Sequence, residues 1–394
     1  MSSAFYPQPI YARNGADAST RVMVAPAKYI QGPGVLQNVA GYLAQLGWQR
    51  VGILASARGH ASQAGEVAER LAQTDVVCVQ ATFRGECSVE AVTEHSAALG
   101  DEQIDGLVAL GGGKCVDAGK CVAHRLGVPL VVIPTLASND APCSAVSVMY
   151  TPAGVAAGAE FFPLNPTMVI VDTQVVAAAP ERYLVAGMGD AMATWYEAKV
   201  CMENPAARTV VGARPTLTAC AMGELCAHTL FEQGVSACAQ VAAEDVGEAL
   251  EAVVEANTLL SGVGFESGGL AAAHGYAQGF TVVPTVEHNY LHGEMVALGV
   301  LSQLVMQQQM AEAQRVAEFF VNIGLPVHLG QVDLAPSDSA IDDIVAGTLA
   351  FDPLHNLPFK VTAELVKQSL LDAHALGSEV TQQLGDEAYR RIRH

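Results

Sequence analysis

Basic residues are scarce in this sequence. Its 394 residues include 20 Lys and Arg against 40 Asp and Glu, which gives a formal net charge of −20 at pH 7. A surface this acidic repels phosphate backbones and anionic lipid headgroups, so we expect no nucleic-acid partner and no membrane partner. Charged residues make up only 15% of the chain and hydrophobic residues 51%, which excludes a predominantly disordered protein.

Other common features are also missing. No segment reaches the roughly 18 consecutive apolar residues of a membrane span, and the first twenty residues lack the basic and apolar regions of a secretory signal. The nine cysteines form an odd set without a Cys-x-x-Cys pair, which is typical of buried thiols rather than of disulfides or zinc fingers. These absences predict a cytoplasmic protein.

The length and the hydrophobic pattern predict two domains. Five apolar runs in the first half alternate with helical stretches, one of which, residues 88–100, begins after Ser88 as a candidate N-cap. The runs are VGILAS at 51–56, VVCVQATF at 76–83, LVALGGG at 107–113, PLVVIPT at 129–135 and MVIVDT at 168–173. This rhythm predicts a parallel sheet covered by helices on both faces. After Pro180 the composition favours helices, so we expect an α/β domain at 1–179, with residues 1–24 outside its core, and an all-α domain at 180–394.

A glycine run follows the third of these apolar runs. Gly111, Gly112 and Gly113 precede Lys114, and the predicted helix after them carries Asp117, which we include among the candidate cofactor contacts. Glycines let the backbone approach a phosphate, and the N–H groups at the start of a helix attract anions. The run matches neither the GxGxxG fingerprint nor the P-loop. Two interpretations therefore stay open, a nucleotide-binding turn and an ordinary tight turn between strand and helix.

The next strand is followed by the loop PTLASNDAPCS at 134–144. It offers Thr135, Ser138, Asp140 and Ser144 just beyond the carboxyl end of a strand. Ligands of open α/β sheets bind at such ends, which makes these side chains candidates for contacting cofactor and substrate. A loop stabilised by its own Asp and Ser side chains is the alternative.

Candidate metal ligands lie in the helical half: Asp190, His274, His288 and His292. One carboxylate and two imidazoles from different segments could bind Zn²⁺ and leave a coordination position for a substrate oxygen. The sequence separations carry no local signature, because each of these residues alone could also be a cap or a core side chain.

Taken together, seven motifs resemble the glycerol dehydrogenase branch of the iron-containing alcohol dehydrogenase superfamily. In chain order they are FRGECS at 83–88, GGGKCVDAGK at 111–120, PTLASNDAPCSAVSVMY at 134–150, GMGDAMATW at 187–195, LSGVGFESGGLAAAH at 260–274, HGE at 292–294 and HNLP at 355–358. The resemblance extends from about Ala27 to the C-terminal helices. It implies the fold shared by dehydroquinate synthases and iron-containing alcohol dehydrogenases, with an N-terminal Rossmann-like domain, a helical C-terminal domain, and metal and nicotinamide between them.

The resemblance also assigns roles to residues. It implies a metal ion on Asp190, His274 and His292, Asp140 beside nicotinamide and substrate, and Phe265 as an apolar wall of the substrate pocket. The positions that match cofactor contacts are Gly112, Gly113, Lys114, Thr135, Ser138, Ser144, Val146 and Tyr150. His288 is at most a neighbour of the ligands, because the family's ligand is the His directly before Gly293.

One position departs from the iron-dependent members. They place a fourth ligand, a His, four residues after the Asp, whereas this chain has Thr194 there. Three ligands of the Asp-His-His type favour zinc over iron.

The activity implied is reversible oxidation of glycerol, or a related small vicinal diol, to dihydroxyacetone or its equivalent, with hydride transfer to NAD. Two alternatives stay open: an enzyme of the same fold acting on a phosphorylated substrate, such as glycerol-1-phosphate dehydrogenase or dehydroquinate synthase, and an inactive homologue that binds metal and nucleotide. The segments GVGFESGGLAAAH and EHNYLHGEM contain no Lys or Arg, which argues against a phosphorylated substrate. The family further suggests a homo-oligomer.

Cofactor selectivity is expected to be relaxed. Many relatives have Asp at the end of the first strand, where an acidic side chain binds the adenosine ribose and repels a 2′-phosphate. This chain has Ser56 there, and Arg58 two residues later could reach a 2′-phosphate. We therefore expect NAD as the main cofactor with unusual tolerance of NADP.

Overall fold

The computed structural model describes residues 5–11 and 20–393. Its strands are β1 Tyr29–Gly32, β2 Arg50–Ser56, β3 Val77–Phe83, β4 Gly106–Gly111, β5 Leu130–Pro134, β6 Val146–Tyr150, β7 Ala156–Phe161 and β8 Met168–Asp172. Its α-helices are α1 Gln8–Tyr11, α2 Val39–Ala44, α3 Ala57–Ala61, α4 Gln63–Ala72, α5 Val89–Gly100, α6 Gly113–Leu126, α7 Thr173–Ala177, α8 Glu181–Glu203, α9 Leu217–Ala242, α10 Glu248–Glu255, α11 Ser261–Gly268, α12 Ala272–Phe280, α13 Pro284–Asn289, α14 His292–Met306, α15 Met310–Ile323, α16 Ala340–Leu349, α17 Ala363–Leu384 and α18 Glu387–Arg391. A π-helical turn, Ala256–Leu260, joins α10 to α11.

The main sheet is parallel, with the strand order β1-β8-β5-β4-β2-β3. All five strands expected from the apolar runs are present within it, and β1 is added at one edge. Successive residues of the central strands enter opposite cores: Val108 packs in one cluster with α2 and α4, and Ala109 in the other with α5 and α6. A sheet buried on both faces explains why its strands are continuous apolar runs. The predicted helix at 88–100 is also confirmed as α5, with the Ser88 side chain accepting from Ala91 N–H.

An antiparallel hairpin, β6–β7, lies outside the main sheet and was not expected from the sequence. Strand β7, with the sequence AAGAEF, is exposed over four of its six residues. Small, exposed residues give no period-2 alternation, so the pattern carried no strand signal.

Long helices dominate after Glu181, as the composition predicts. Two glycines permit the contacts that matter for the site. A Cβ at Gly293 would lie 1.7 Å from the Ala186 carbonyl oxygen, and one at Gly187 would lie 1.9 Å from that of Ala137. The start of α14 and the loop after β5 therefore approach the backbone of α8 more closely than any side chain would allow.

The fold class is confirmed as an N-terminal α/β region with a parallel sheet, followed by a helical region. The boundary near residue 180 stays a prediction about folding units. We predicted that residues 1–24 lie outside the core of the first domain, and of these residues 1–4 and 12–19 are outside the described part of the chain. At the end of this stretch, Val24 N–H donates to Ser267 Oγ at 3.0 Å. Within the described part of the chain, no helix has the length and apolar character to cross a membrane. All nine cysteines are free thiols, and eight of them are buried.

Candidate metal and nucleotide site

The order in which the chain adds strands to the sheet reverses between β2 and β4. From β2 the chain passes to β3 on one side, and from β4 to β5 on the other. The two strands end at Ser56 and Gly111, whose backbones are so close that a Cβ on Gly111 would lie 2.9 Å from the Cβ of Ser56. Crevices at the carboxyl ends of such strands are the usual ligand sites of open α/β sheets.

The glycine run lies directly at this crevice. Gly112 is the N-cap of α6 and Gly113 its first residue, so the run presents the start of a long helix to an anion. A Cβ on Gly113 would lie 2.4 Å from Asn139 Nδ2. A side chain here would displace Asn139, because the loop after β5 packs against the helix start.

Other predicted cofactor residues surround the crevice. Thr135 and Ser138 follow β5, and Tyr150 ends β6. The Lys114 ammonium lies 2.6 Å from Glu86 Oε1 and 5.3 Å from the centre of the Tyr150 ring. Lys114 is thus beside the glycine run but paired with a carboxylate.

Two of the predicted cofactor residues have their polar atoms bound within the protein. Lys120 Nζ donates to Asp117 Oδ1 at 3.1 Å, to Ser144 Oγ at 3.1 Å and to the Val146 carbonyl at 2.6 Å. Asp117 Oδ2 accepts from Val148 N–H at 3.1 Å. These bonds attach β6 to α6, so a cofactor role for Asp117 and Ser144 would include placing β6, which carries Val146.

The three predicted metal ligands come together from three helices. Asp190 is on α8, His274 on α12, and His292 is the first residue of α14. Asp190 Oδ1 lies 3.4 Å from His274 Nε2 and 3.3 Å from His292 Nε2. All three ligand atoms lie within 4.8 Å of one another. Two ligands bound at 2.0–2.1 Å in a tetrahedral metal site are about 3.4 Å apart, so both distances from Asp190 match those between ligands of one metal ion.

A buried carboxylate, Glu197, determines which nitrogen of His274 faces the cluster. Glu197 Oε2 is 2.6 Å from His274 Nδ1, and its other oxygen accepts from Ala271 N–H and His274 N–H. With Nδ1 held by Glu197, Nε2 is the nitrogen that faces Asp190 and would bind a metal ion. Metal-binding histidines commonly have such a carboxylate partner, and Glu197 was not among the residues predicted from the sequence.

The electrostatics of the cluster fit a bound cation. Asp190 is 1% exposed, yet its Oδ1 has no hydrogen-bond partner among the described residues. Burial alone would lower the pKa of His274, but the charges of Glu197 and Asp190 outweigh it and raise that pKa well above its usual range. Burial alone would raise the pKa of Asp190, and the two imidazoles reverse this and lower it. The cluster therefore demands positive charge between its ligand atoms, which a metal ion would supply.

Asp140 connects the metal cluster to the crevice. Its backbone N–H donates to Asp190 Oδ2 at 3.2 Å, and its own Oδ2 accepts from Ser261 Oγ at 2.9 Å. Ser261 Oγ lies 2.9 Å from the Thr194 hydroxyl. Loss of water and the charge of Asp190 raise the pKa of Asp140 well above its usual range. The π-helical turn ends directly before Ser261, and such turns are frequent at functional sites.

Two other predicted site residues, Phe265 and His288, are not part of the metal cluster. Phe265 is buried on α11, one turn after Ser261. His288 is exposed on α13 and lies outside the three-residue cluster. Glu266, by contrast, was missed: it is 1% exposed and accepts from Ala145 N–H and Asn165 Nδ2, joining α11 to the start of β6.

The chain is similar to known proteins over most of its length. The family described as iron-containing alcohol dehydrogenase matches residues 26–173. A glycerol dehydrogenase of Escherichia coli O6:H1 is 41% identical over 371 residues, 92% of this chain and 99% of that protein. A glycolaldehyde reductase of Halobacterium salinarum is 37% identical, with 92% and 99% covered. The solved glycerol dehydrogenase of Schizosaccharomyces pombe has a TM-score of 0.87 at 30% identity, covering 93% of each chain.

These similarities extend over more than nine tenths of the chain. The chain belongs to the iron-containing alcohol dehydrogenase family and is an oxidoreductase. Within that family it is similar to glycerol dehydrogenases.

Proposed function

We propose that the protein reversibly oxidises glycerol, or a related small vicinal diol, with NAD as hydride acceptor and zinc held by Asp190, His274 and His292. The observation that carries this proposal is the continuous connection from crevice to cluster. Gly113 packs against Asn139, and the next residue, Asp140, donates its N–H to Asp190. A nicotinamide bound along the crevice would thus lie near a hydroxyl bound at the cluster, as hydride transfer requires.

The residues around the crevice and the cluster have separate roles in this reaction. The start of α6, at Gly112 and Gly113, binds the pyrophosphate. Glu197 holds His274 in the tautomer that leaves Nε2 free, and Asp140 accepts a hydrogen bond from a substrate hydroxyl and so orients it. The bound zinc supplies Lewis acidity, which lowers the pKa of an alcohol hydroxyl. We assign no side chain as a dedicated base and give the proton to solvent or to a ribose hydroxyl.

The substrate class follows from the chemistry of the relatives' substrates. Glycerol is named for one relative and glycolaldehyde for another. Reduction of glycolaldehyde gives ethylene glycol, so both reactions concern small neutral molecules with oxygens on adjacent carbons. The absence of Lys and Arg from the segments around Phe265 and His292 supports a neutral substrate over a phosphorylated one.

Zinc is favoured over iron by Thr194. The family's iron ligand at this position is replaced by a hydroxyl that is engaged with Ser261. Three ligands remain, which is the usual number in a catalytic zinc site with one open position.

Steady-state kinetics would test the proposed function directly. We expect metal-stripped protein to be inactive, to regain activity with Zn²⁺, and to oxidise glycerol, ethylene glycol and 1,2-propanediol with NAD. Glycerol 1-phosphate and glycerol 3-phosphate serve as the charged controls. A higher kcat/KM for a phosphorylated substrate, or recovery with Fe²⁺ alone, would contradict the substrate or the metal assignment.

Ser56 gives a prediction about cofactor choice. Its Oγ accepts from Gly59 N–H as the N-cap of α3, a role that Asp also fills well. We expect Ser56→Asp to raise the ratio of kcat/KM for NAD over NADP by about tenfold or more, since a carboxylate repels the 2′-phosphate. Arg58→Ala should lower only the activity with NADP. A wild-type preference for NAD of several thousandfold would show that Ser56 has not relaxed selection.

Homo-oligomer formation and a cytoplasmic location stay predictions from the family and the composition. Light scattering on the purified protein would measure the assembly. A monomer at micromolar concentration would contradict the first of these expectations.

A further inference from the structure

The three ligands of the metal cluster differ in how firmly packing holds them. The side chains of Asp190 and His274 are 1% and 12% exposed, whereas that of His292 is 46% exposed. Since His292 is the first residue of α14, its position depends mainly on the backbone at the start of that helix.

The start of α14 is held by a buried carboxylate, Glu294. Its Oε2 accepts from Leu291 N–H at 2.7 Å, which caps the helix. Arg182 binds it with two parallel hydrogen bonds, Nε to Oε1 at 2.8 Å and Nη2 to Oε2 at 2.7 Å. Arg182 also donates to the Asn289 carbonyl at 2.8 Å, so it fixes the chain on the other side of His292. Glu294 is 1% exposed, and a carboxylate this buried needs paired cations.

A second cation reaches Glu294 from the distant C-terminal segment, residues 386–393. Arg393 Nη2 lies 3.1 Å from Glu294 Oε1. The guanidinium carbon also lies over two aromatic rings, 4.3 Å from the centre of Tyr290 and 4.6 Å from that of Tyr389. Tyr290 is two residues before His292, so Arg393 contacts the helix start from both sides of the ligand.

The same segment also contacts the other ligand-bearing helix. Arg391 forms a paired interaction with Glu181, in which Nη2 donates to Oε1 at 2.9 Å. Glu181 is the first residue of α8, the helix that carries Asp190 and Glu197. The C-terminal segment therefore contacts the starts of α8 and α14 together. In a chain with only 20 Lys and Arg, three of them stand at 390, 391 and 393.

We propose that the C-terminal segment positions the metal site, with Arg393 and Arg391 as positioning residues that hold the start of α14 against the start of α8. Neither residue contacts the ligand atoms; each acts through a carboxylate on a ligand-bearing helix. The proposal rests on the proposed assignment of the metal to Asp190, His274 and His292. It predicts that metal affinity depends on a segment more than 90 residues along the chain from the last ligand.

The test compares the wild-type protein with the variants Arg393→Ala, Arg393→Lys and Arg390→Ala. Arg390 is the matched control, because it lies in the same segment, its side chain is 69% exposed, and it pairs with Asp386 in that same segment. Zn²⁺ affinity is measured in chelator-buffered titrations, and Tm is measured without metal. We expect Arg393→Ala to weaken Zn²⁺ binding by about tenfold or more, the range typical of residues that orient ligands. Arg393→Lys should recover part of the loss, and Arg390→Ala should match wild type.

Affinity and stability separate a positioning role from a merely structural one. Wild-type Zn²⁺ affinity in Arg393→Ala, with only the metal-free Tm lowered, would overturn the proposal. If Arg393→Ala does not fold, a Zn²⁺ affinity of Arg393→Lys equal to that of wild type would overturn it, and a weakened one would support it. Failure of the wild-type protein itself to bind Zn²⁺ would overturn the proposed metal site, and the positioning role with it.

Discussion

Replacing Asp190 by Asn is expected to weaken Zn²⁺ binding by at least about a hundredfold and to abolish diol oxidation, while Tm of the metal-free protein changes little. Asp190 Oδ1 lies within 3.4 Å of both imidazoles and supplies the only negative charge among the three ligands. Asn keeps the volume of the side chain and still accepts the hydrogen bond from Asp140 N–H. Elemental analysis and chelator-buffered titration measure the loss.

Two further variants show whether the ligand set is correct. His288→Ala removes the exposed histidine four residues before His292, and we expect wild-type zinc content and activity from it. Glu197→Gln should weaken zinc binding by about 10- to 100-fold, since it orients His274 without being a ligand. Stoichiometric iron in the active protein, or full activity in His274→Ala, would contradict the zinc assignment.

The metal ligands show how far sequence reasoning extends. They come from α8, α12 and α14, and their separations along the chain follow no helical or strand period. Only the resemblance to a family singled them out. Glu197 could have been found from the pattern itself, since Asp190, Thr194 and Glu197 have the spacing i, i+4, i+7 of one helix face. A polar stripe on a helix otherwise rich in Ala and Met indicates a buried polar cluster.

The sheet was predictable for a different physical reason. Its central strands are buried on both faces, which forces continuous runs of Val, Leu and Ile such as those of β4 and β5. Strand β1 is half-buried at the sheet edge, and its short sequence, YIQG, cannot be told from that of a loop. Lys120 donates to the Val146 carbonyl at the start of β6, and no local sequence pattern shows this contact between α6 and the hairpin.

Close contacts between elements were the other hidden feature. The sequence has 37 glycines, and nothing in their spacing separates those in turns from those at helix contacts. Gly187 and Gly293 belong to the second kind, because a side chain at either position would collide with a backbone carbonyl. The contact at Gly293 brings His292 close to Asp190, and the contact at Gly187 brings the loop that carries Asp140 onto α8.

Replacing Asp140 by Asn is expected to lower kcat for diol oxidation by about a hundredfold, with zinc content and fold unchanged. The Asp140 carboxylate accepts from Ser261, and its backbone donates to Asp190, so it lies between the nucleotide crevice and the metal cluster. An amide in its place can donate as well as accept and would no longer select one orientation of the substrate hydroxyl.

Ser261→Ala, which leaves Asp140 in place but removes its partner, should cause a smaller loss of kcat. Thr194→Val should cause a still smaller loss, since Thr194 contacts Asp140 only through Ser261. Rates with glycerol at saturating NAD, together with zinc content, decide the matter. A wild-type kcat in Asp140→Asn, or an effect confined to zinc binding, would show that Asp140 does not orient the substrate.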